Sequence, residues 1–350
     1  MVSRRVPCGV SNMFCRAPYQ ETLQRQNGKK VGVTTGLLNF VFMKAIRLHE
    51  SGGPEKLIWE DAPIPDLRQG DAIVKVFASG ITRDELTWGP TYTDENGKSR
   101  LPTIPGHEFC GIVISVAPDV TGVHPNDAVY GLASFFRDGS AAEYVAVKAA
   151  DLALKPKTLD ACQTAAVPLA ALTAWQALFD HAELKPGQRV LIHGAAGSVG
   201  TLAVQLAHWC GAEVVAAAST SNLALLTDLG AHQALDYKAA PFEEQVKDMD
   251  VVLDTIGGDI QHRSWRVLKA GGVLVSIAAG SITVPVGVEN KRGIFFIVKA
   301  DRQQLVKIGQ LIDQHIVRPI IAEIIPMERA QEAFKKLDGR AGRGKIILKL

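Results

Sequence analysis

Cysteine is sparse in this 350-residue chain, and none of the five cysteines forms a C-x-x-C pair. Their number is odd and their positions are scattered, so no disulfide framework is indicated and a reducing compartment fits the chain. Long hydrophobic spans are also lacking. The uncharged runs 161–179 and 271–288 approach membrane-spanning length, yet both contain Pro and several polar or Gly residues. We therefore interpret both runs as buried elements.

The chain also lacks a broad excess of one charge. The first 42 residues hold six basic residues and one acid, which leaves a body with 32 basic and 35 acidic residues. Such a mildly acidic body offers no basic face for a phosphate backbone. We therefore expect a small-molecule substrate, with neither nucleic acid nor a membrane as the main partner.

The N-terminal 42 residues differ in composition from the rest of the chain. They carry arginines and almost no acids, which is typical of a mitochondrial transit peptide, but they show no clear amphipathic helix. Met43 then begins a segment with the character of a folded domain. We expect residues 1–42 to be a disordered extension or the result of an overlong start-site assignment, in a cytoplasmic protein. A transit peptide would instead make the protein mitochondrial.

Two patterns divide the remaining residues. Short alternating or apolar runs, broken by Gly and Pro, fill residues 44–150 and predict a barrel-like β domain. Further along, strands alternate with helices, which predicts a parallel, doubly wound sheet. The predicted strands of this sheet are RVLIH, EVVAAA, VVLD, GVLVSIA and IFFIV. The expected domains are 43–165, completed by the returning segment 318–350, and 166–317.

A glycine-rich loop stands between the first strand and the first helix of the second domain. In RVLIHGAAGSVGTLAVQLA, Gly194, Gly197 and Gly200 occupy the context of a dinucleotide-binding fingerprint, with Ala195 in place of the usual first glycine. Gly197 lets the backbone approach a pyrophosphate, and Gly200 lets the helix pack closely against the strand. The expected cofactor contacts in this loop are Ala196, Gly197, Ser198, Val199 and Gly200.

The end of the second strand bears on the choice of cofactor. An NAD-binding protein is expected to carry an acid there, but this chain has Ser219, Thr220 and Ser221. Hydroxyl groups can donate to a 2′-phosphate, and a missing acid removes repulsion. We therefore predict NADPH rather than NADH. Lys238, beside Tyr237, is a candidate for the positive charge, although it is equally compatible with an ordinary exposed loop lysine.

The order of the motifs PGHE, GAAGSVG and DTIGG resembles the medium-chain dehydrogenase/reductase superfamily. The match runs from about residue 43 to residue 350, and it is strongest to the zinc-independent quinone oxidoreductase branch related to zeta-crystallin. The resemblance implies an α/β fold with a GroES-like β-barrel catalytic domain and a doubly wound Rossmann domain. It also suggests a homodimer formed through the edge strand GIFFIV.

Zinc dehydrogenases of this superfamily bind a catalytic metal through three protein ligands. By resemblance, the corresponding positions here hold Thr82, His107 and a residue near Ala170, so a single ligand survives. Between residues 85 and 130 there is only Cys110, whereas a structural zinc lobe needs four cysteines. We therefore expect no zinc, and we interpret His107 as a hydrogen-bonded turn residue and Cys110 as a core residue.

The resemblance also implies the residues that line the substrate cleft. Carried over, they are Thr82, Glu85, Trp88 and Tyr92. Tyr92 is the best candidate for a proton donor or oxygen anchor, and the alternative is a tyrosine that packs the barrel rim. Glu85 is equally compatible with a solvated helix position.

Further cofactor contacts are implied by the same resemblance. Ser219 and Tyr237 are expected at the adenosine phosphate end of the cofactor. Residues 254–257, which include Asp254 and Ile256, are expected beside the nicotinamide ribose, and residues 296–298, which include Phe296 and Val298, near the ring. Core packing is an equally good interpretation of Phe296.

These observations predict an NADPH-dependent oxidoreductase that transfers hydride to a quinone or another activated, conjugated carbonyl compound. Such acceptors are already electrophilic, so positioning against the cofactor suffices without a Lewis acid. Two alternatives stay open at this point. One is a 2-enoyl-thioester reductase, and the other is a non-catalytic NADPH-binding protein.

Overall fold

A computed structural model gives the fold and describes residues 42–278, 282, 284–285, 287–288, 290–338 and 343–350. The expectations for the N-terminal extension therefore lie outside the described residues. Within the described part of the chain, no helix is long and apolar enough to cross a membrane.

Short strands with one or two buried faces dominate the first half of the chain, as the alternating pattern predicts. These strands are β1 (Phe42–Arg47), β2 (Ile58–Pro63), β3 (Asp71–Gly80), β4 (Glu108–Val116), β5 (Ala128–Leu132), β6 (Tyr144–Lys148) and β7 (Leu152–Leu154). A one-turn helix, α1 (Gly89–Tyr92), lies directly after the 3₁₀ turn Glu85–Thr87.

Strands alternate with helices in the second half. The elements are α2 (Ala161–Ala165), α3 (Pro168–Trp175), β8 (Arg189–Ile192), α4 (Ser198–Trp209), β9 (Glu213–Ala218), α5 (Leu223–Asp228), β10 (Gln233–Asp236), α6 (Phe242–Gln245), β11 (Met249–Asp254), α7 (Gly258–Ser264), β12 (Leu268–Ser276), β13 (Arg292–Phe295), α8 (Arg302–Asp313), β14 (Ile321–Pro326), α9 (Ala330–Asp338) and β15 (Lys345–Lys349). A π-helical turn, Gln176–His181, extends α3.

In the described residues, six of these strands form a parallel sheet in the order β10-β9-β8-β11-β12-β13. The chain moves outward from β8 in one direction and then returns to β11 to move outward in the other. A crevice for ligands opens at such a switch point, outside the carboxyl ends of the two central strands. The predicted doubly wound sheet is thus confirmed.

Burial explains which segments become strands of this sheet. All six residues of β11 are buried, as expected for a central parallel strand that is covered by helices on both faces. Strand β10 is the exception to sequence prediction. It is short, and only Leu235 within it is buried, so its pattern is too weak to distinguish it from a loop.

The C-terminal segment joins the other sheet. In the described residues this sheet runs β14-β15-β3-β4-β5-β7, with β6 paired to β3 as well. Strand β15 lies antiparallel to β3 and parallel to β14. Residues 345–349 therefore complete a sheet that begins more than 250 residues earlier. The domain boundaries predicted from the sequence stay predictions.

Candidate active site and cofactor cleft

The glycine loop between β8 and α4 has no room for larger residues at two positions. Gly194 has a φ of +62°, and a Cβ there would lie 2.2 Å from the Thr255 hydroxyl oxygen. A Cβ on Gly200 would lie 2.4 Å from the Gly194 carbonyl oxygen. The first turn of α4 therefore sits tightly against the end of β8. Its unpaired amide groups fit the pyrophosphate of a dinucleotide, which is the role predicted for residues 196–200.

A second glycine, Gly344, is hydrogen-bonded to this loop, and the sequence analysis did not identify it. The Gly344 amide donates a hydrogen bond to the Ala196 carbonyl oxygen at 2.9 Å. Gly344 has a φ of +68°, and a Cβ there would lie 2.2 Å from the Ile320 carbonyl oxygen. The beginning of β15 thus lies directly on the cofactor loop.

An acid that the sequence analysis did not expect, Asp236 of β10, lies beside the carboxyl end of β9. Strand β10 runs beside β9 and pairs Asp236 with Ala218. The Thr220 hydroxyl donates a hydrogen bond to the Asp236 carboxylate. This bond, together with the Lys238 amide, lowers the pKa of Asp236. Thr220 is therefore already engaged, which corrects its predicted availability to a 2′-phosphate.

Other polar groups remain around this end of the sheet. Ser219 is half-buried and accepts a hydrogen bond from the Asn222 side chain at 3.1 Å. Tyr237 is 48% exposed, and its amide donates to the Ala218 carbonyl. Lys238 is exposed one residue further on. The Tyr237 amide thus brings Tyr237 and Lys238 to the end of β9 that precedes Ser219, and their contacts with a cofactor stay predictions.

Asp254 has a different role from the predicted cofactor contact. Its carboxylate is fully buried and accepts hydrogen bonds from the amides of Ile256 and Gly257, both at 2.9 Å. The Ser276 hydroxyl donates to its other oxygen at 2.9 Å. Asp254 therefore shapes the turn after β11 and is not retained as a direct contact. Ile256, which is 55% exposed, lies over Gly194 at the mouth of the crevice.

The segment after β13 is held firmly against α3. Phe296 packs against the His181 ring with 4.3 Å between ring centroids, and Val298 is buried. The Gln176 side chain then forms two hydrogen bonds with the backbone of Lys299, at 2.8 and 3.1 Å. Phe296 thus packs against the core, while Val298 also lines a cavity of about 340 Å³.

That cavity lies between residues 298–300 and the loop 132–137, which includes Phe135. The Phe135 ring meets the His107 ring edge to face at 4.8 Å, and the Trp88 ring stacks on His107 at 5.9 Å. A larger cavity, of about 720 Å³, is lined mainly by side chains of β2, α9 and the turn before α9. The smaller cavity is the better candidate for part of the substrate cleft, because Val298 and Phe135 line it.

His107 is not the hydrogen-bonded turn residue that the sequence analysis expected. It is 2% exposed, and neither ring nitrogen has a hydrogen-bond partner in the described residues. Burial, reinforced by the positive charge of Arg100, lowers the pKa of His107 to about 3. The ring is therefore neutral near pH 7 and acts as an aromatic surface between Trp88 and Phe135.

Glu85 is buried rather than solvated, so the alternative interpretation of this residue is wrong. Its carboxylate accepts hydrogen bonds from the amides of Gly106 at 2.5 Å and Thr82 at 3.2 Å. It also lies 3.7 Å from the His107 Nε2 atom. Burial raises the pKa of Glu85 to about 7. Glu85 thus holds together the two turns that carry Thr82 and His107.

A buried ion pair lies beside these turns. Lys345 is 2% exposed and pairs with Glu108, which is fully buried. The Lys345 ammonium also donates a hydrogen bond to the Thr82 hydroxyl oxygen at 2.9 Å. The second Glu108 oxygen accepts the Leu169 amide at 3.0 Å. A lysine at the start of the apolar run KIILK was the only sequence signal for this arrangement.

Tyr92 is bound to the backbone rather than left facing a substrate. Its hydroxyl donates a hydrogen bond to the Leu86 carbonyl oxygen at 2.5 Å. Its ring packs against the apolar cluster that contains Ile81 and Leu86. The geometry therefore favours the packing interpretation, and Tyr92 is not retained as the proposed proton donor.

The residues at the superfamily's zinc positions do not fit a catalytic zinc. Thr82 is bound to Lys345, His107 is enclosed by aromatic rings, and Ala170 is fully buried. Among the described residues, no group of three or more His, Cys, Asp or Glu side chains is placed to hold a metal. Cys110 is buried as predicted, and burial raises the pKa of its thiol to about 12.

Comparison with known proteins bears directly on this geometry. The model of the alcohol dehydrogenase GroES-like domain matches residues 68–157, and that of the zinc-binding dehydrogenase matches residues 229–348. A probable zinc-binding mitochondrial oxidoreductase of Arthroderma benhamiae is 33% identical, over 82% of this chain and 91% of its own length. This chain is a medium-chain dehydrogenase/reductase.

Two further similarities define the branch of this medium-chain dehydrogenase/reductase. A chloroplastic NADPH-dependent alkenal/one oxidoreductase of Arabidopsis thaliana is 33% identical, over 87% of this chain and 79% of its own length. The structure of the quinone oxidoreductase from Coxiella burnetii matches with a TM-score of 0.80 and 31% identity, over 88% of this chain and 99% of its own. The predicted superfamily, quinone oxidoreductase-like branch and fold class are confirmed, and the protein is an oxidoreductase that uses a nicotinamide cofactor.

Glu85 predicts a pH dependence of stability for this dehydrogenase/reductase. The folded state keeps the Glu85 proton up to a pKa of about 7, against 4.5 in the unfolded chain. The unfolded state binds fewer protons between these values, so stability falls as pH rises from 4.5 to about 7 and is then constant. Glu85→Gln should remove this contribution, which amounts to at most about 3 kcal/mol.

The measurement is the free energy of unfolding in urea at several pH values. The wild-type value minus the Glu85→Gln value should decrease from pH 5 to pH 7. Glu244→Gln, at an exposed position on α6, controls for the amide substitution. Parallel pH curves for wild type and Glu85→Gln would contradict the assignment.

The residues at the superfamily's zinc positions lead to a second prediction. The purified protein should contain no stoichiometric zinc, because His107 alone keeps a ligating side chain among the three positions. Elemental analysis before and after dialysis against a chelator measures this, with activity followed in parallel. About one zinc per chain, together with loss of activity on chelation, would show that the ligand set lies elsewhere.

Proposed function

We propose that this protein is a zinc-independent, NADPH-dependent reductase of quinones or conjugated carbonyl compounds. The observation that carries the proposal is a combination of two sites. One is a glycine loop that suits a phosphate group, and the other is the region of Thr82 and Ala170, which by resemblance stand at the superfamily's metal positions without being metal ligands. The names of the Arabidopsis thaliana and Coxiella burnetii relatives, which mention alkenals or enones and quinones, support the same substrate class.

The electrophilicity of the substrate decides whether a metal is needed. The cofactor, when bound, supplies a hydride ion. A quinone or an enone accepts that hydride at an electron-poor atom, while the displaced π electrons move to oxygen and a proton from water completes the reduction. A simple ketone needs a stronger electrophile on its oxygen, which this pocket does not provide. Positioning and exclusion of water are then the main tasks of the chain.

Flat apolar surfaces in the pocket suit a conjugated substrate. Trp88, His107 and Phe135 form one aromatic group, and His107 is neutral because it is buried. Val298 lies on the other side of the adjoining cavity, beyond the last strand of the parallel sheet. A planar quinone or enone that enters this cavity would exchange water for aromatic contact.

The preference for NADPH rests on the charges around Ser219. Ser219 and Tyr237 offer hydroxyl groups, and Lys238 offers a positive charge to a 2′-phosphate. Asp236 opposes them, because the Thr220 hydroxyl and the Lys238 amide lower the pKa of its carboxylate and keep it charged. The proposed preference therefore requires that Ser219, Tyr237 and Lys238 together outweigh the repulsion from Asp236.

We also propose a homodimer formed through β13. This strand is the edge of the parallel sheet in the described residues and pairs only with β12. Phe295 and Ile297, at and beyond its end, are 38% and 66% exposed. An apolar edge of this kind is protected when a second copy continues the sheet.

The location in the cell depends on residues 1–42, of which all but Phe42 lie outside the described residues. We propose the cytoplasm for a protein that keeps this segment or lacks it from the start. A mitochondrial protein would result if the segment is a transit peptide, and the relative from Arthroderma benhamiae is named as mitochondrial.

The substrate class is tested by mixing the protein with NADPH under anaerobic conditions. The acceptors are a benzoquinone, an enal, an enone, an enoyl thioester and a saturated ketone, and oxidation of NADPH is followed at its absorbance band. Quinone, enal or enone should be reduced at least tenfold faster than the saturated ketone, because only the conjugated acceptors are electrophilic without a metal. A clear preference for the enoyl thioester would point to an acyl-carrier substrate instead, and absence of all turnover would leave a binding protein.

Cofactor choice is tested with two charge changes of opposite sign. Ser219→Asp adds like charge near the 2′-phosphate and should weaken NADPH by at least tenfold while strengthening NADH. Asp236→Asn removes a negative charge and should tighten NADPH. Thr227→Asp, on the exposed side of α5, controls for added charge at a distance. Fluorescence titration with both cofactors measures the affinities, and equal affinities in the wild type would contradict the proposed preference.

A further inference from the structure

The hydroxyl group of Thr82 has an acceptor side that is occupied and a donor side that is free. Its oxygen accepts a hydrogen bond from the Lys345 ammonium at 2.9 Å. The direction is fixed because an ammonium group can only donate. Within the described residues, no acceptor is paired with the Thr82 hydroxyl proton, and the side chain is half-exposed. The proton is therefore available to a bound molecule that reaches this half-exposed side chain.

The position of Thr82 is fixed from two directions. Its amide donates to the buried Glu85 carboxylate at 3.2 Å, and Glu85 also binds the Gly106 amide next to His107. Its hydroxyl is held by Lys345 from the C-terminal strand. A donor held in place before the substrate arrives costs little reorganisation when charge develops.

Lys345 brings a full positive charge to this hydroxyl in a place shielded from water. The side chain is 2% exposed, and Glu108 is its ion-pair partner. A buried charge is tolerated only when it is paired and hydrogen-bonded, and Glu108 meets this condition together with the Leu169 amide. A hydroxyl that accepts from an ammonium is polarised and becomes a stronger donor itself.

The same segment connects this hydroxyl with the cofactor loop. Gly344, directly before Lys345, donates its amide to the Ala196 carbonyl of that loop. The glycine loop and the Thr82 hydroxyl are therefore bridged by two consecutive residues, Gly344 and the first residue of β15. This arrangement ties the position of the donor to the loop that is expected to hold the pyrophosphate of the cofactor.

We propose that Thr82 and Lys345 form an oxyanion site, in which Thr82 donates to the substrate oxygen and Lys345 acts through Thr82 as a positioning residue. The inference rests on the proposed function and deepens it. When hydride adds to an enone, the π electrons move to the carbonyl oxygen and leave an enolate, and a quinone becomes a hydroquinone monoanion. In both cases the negative oxygen faces the Thr82 proton, and a proton from water then gives the neutral product.

This site suits substrates whose reduction leaves a delocalised negative charge on oxygen, as in an enolate or a hydroquinone monoanion, whereas an alkoxide from a simple ketone is more basic and needs stronger stabilisation. It also predicts that phenolates, which resemble the hydroquinone monoanion, bind in the cleft without reacting. Phenols that ionise more easily should bind more tightly, because the donor interacts best with an oxygen that carries more negative charge.

The first test compares rates in substituted proteins. Thr82→Val keeps the shape of the side chain and removes the hydroxyl, so kcat should fall at least tenfold while the NADPH dissociation constant stays unchanged. Thr82→Ser should recover part of the lost rate. Thr93→Val is the matched control, because Thr93 is a half-exposed threonine whose hydroxyl, within the described residues, bonds to the Gly89 carbonyl alone.

Lys345 needs a paired change, since its removal alone would leave Glu108 as a buried, unpaired charge. The double variant Lys345→Met/Glu108→Gln removes both charges, and it should lower kcat when Thr82 is present. In the Thr82→Val background the same double change should have little further effect on kcat. Additive losses would show that Lys345 does not act through Thr82 and would overturn the proposal.

The second test needs no turnover. The protein is loaded with NADP⁺, and the binding of 4-methoxyphenol, 4-chlorophenol, 4-cyanophenol and 4-nitrophenol is measured by tryptophan fluorescence. Affinity should increase along this series in the wild type and stay level in Thr82→Val. The same trend in both proteins would overturn the oxyanion site. Failure of the wild type to reduce any quinone or enone would instead count against the proposed function, while the phenol series still tests the site.

Discussion

The buried ion pair between Glu108 and Lys345 is the interaction on which the rest of the site depends. Two full charges are withdrawn from water, and such a pair is stable only when its geometry is good and its remaining valences are satisfied. The Leu169 amide donates to the second Glu108 oxygen, and the Thr82 hydroxyl accepts from Lys345. The pair therefore fixes β4, β15, the start of α3 and the turn after β3 relative to one another. The shape of a substrate pocket in this barrel therefore depends on how the ion pair holds these elements.

Charge and burial also explain the chemistry this pocket supports. Desolvation raises the pKa of Glu85 to about 7 and lowers that of His107 to about 3, so both groups tend toward their neutral forms. Lys345 supplies a buried positive charge beside Thr82, and it acts on the cleft through the threonine hydroxyl. Such a site stabilises a developing oxyanion without metal coordination, which agrees with substrates that are electrophilic before they bind.

Sequence reasoning succeeded where the signal is local. The glycine loop between β8 and α4 and the doubly wound sheet are predicted by spacing and periodicity within about 20 residues. It failed where two distant segments meet. Asp236 stands beside the end of β9 because β10 pairs there, and Lys345 reaches Thr82 across more than 250 positions of sequence. Tyr92 and Asp254 have suitable side chains in suitable motifs, but their polar atoms are bound to neighbouring groups that only the folded chain brings near.

The sequence by itself indicated the superfamily and the nicotinamide cofactor, since the motifs that carry them are short and each has its own local spacing. The tertiary structure alone decided which polar groups remain free to act. A hydroxyl or carboxylate can form only a few hydrogen bonds. Whether other protein groups already occupy them depends on partners that are distant in sequence. Thr82 is left with a donor for the cleft, because Lys345 occupies only its acceptor side, whereas the Leu86 carbonyl already takes the Tyr92 proton.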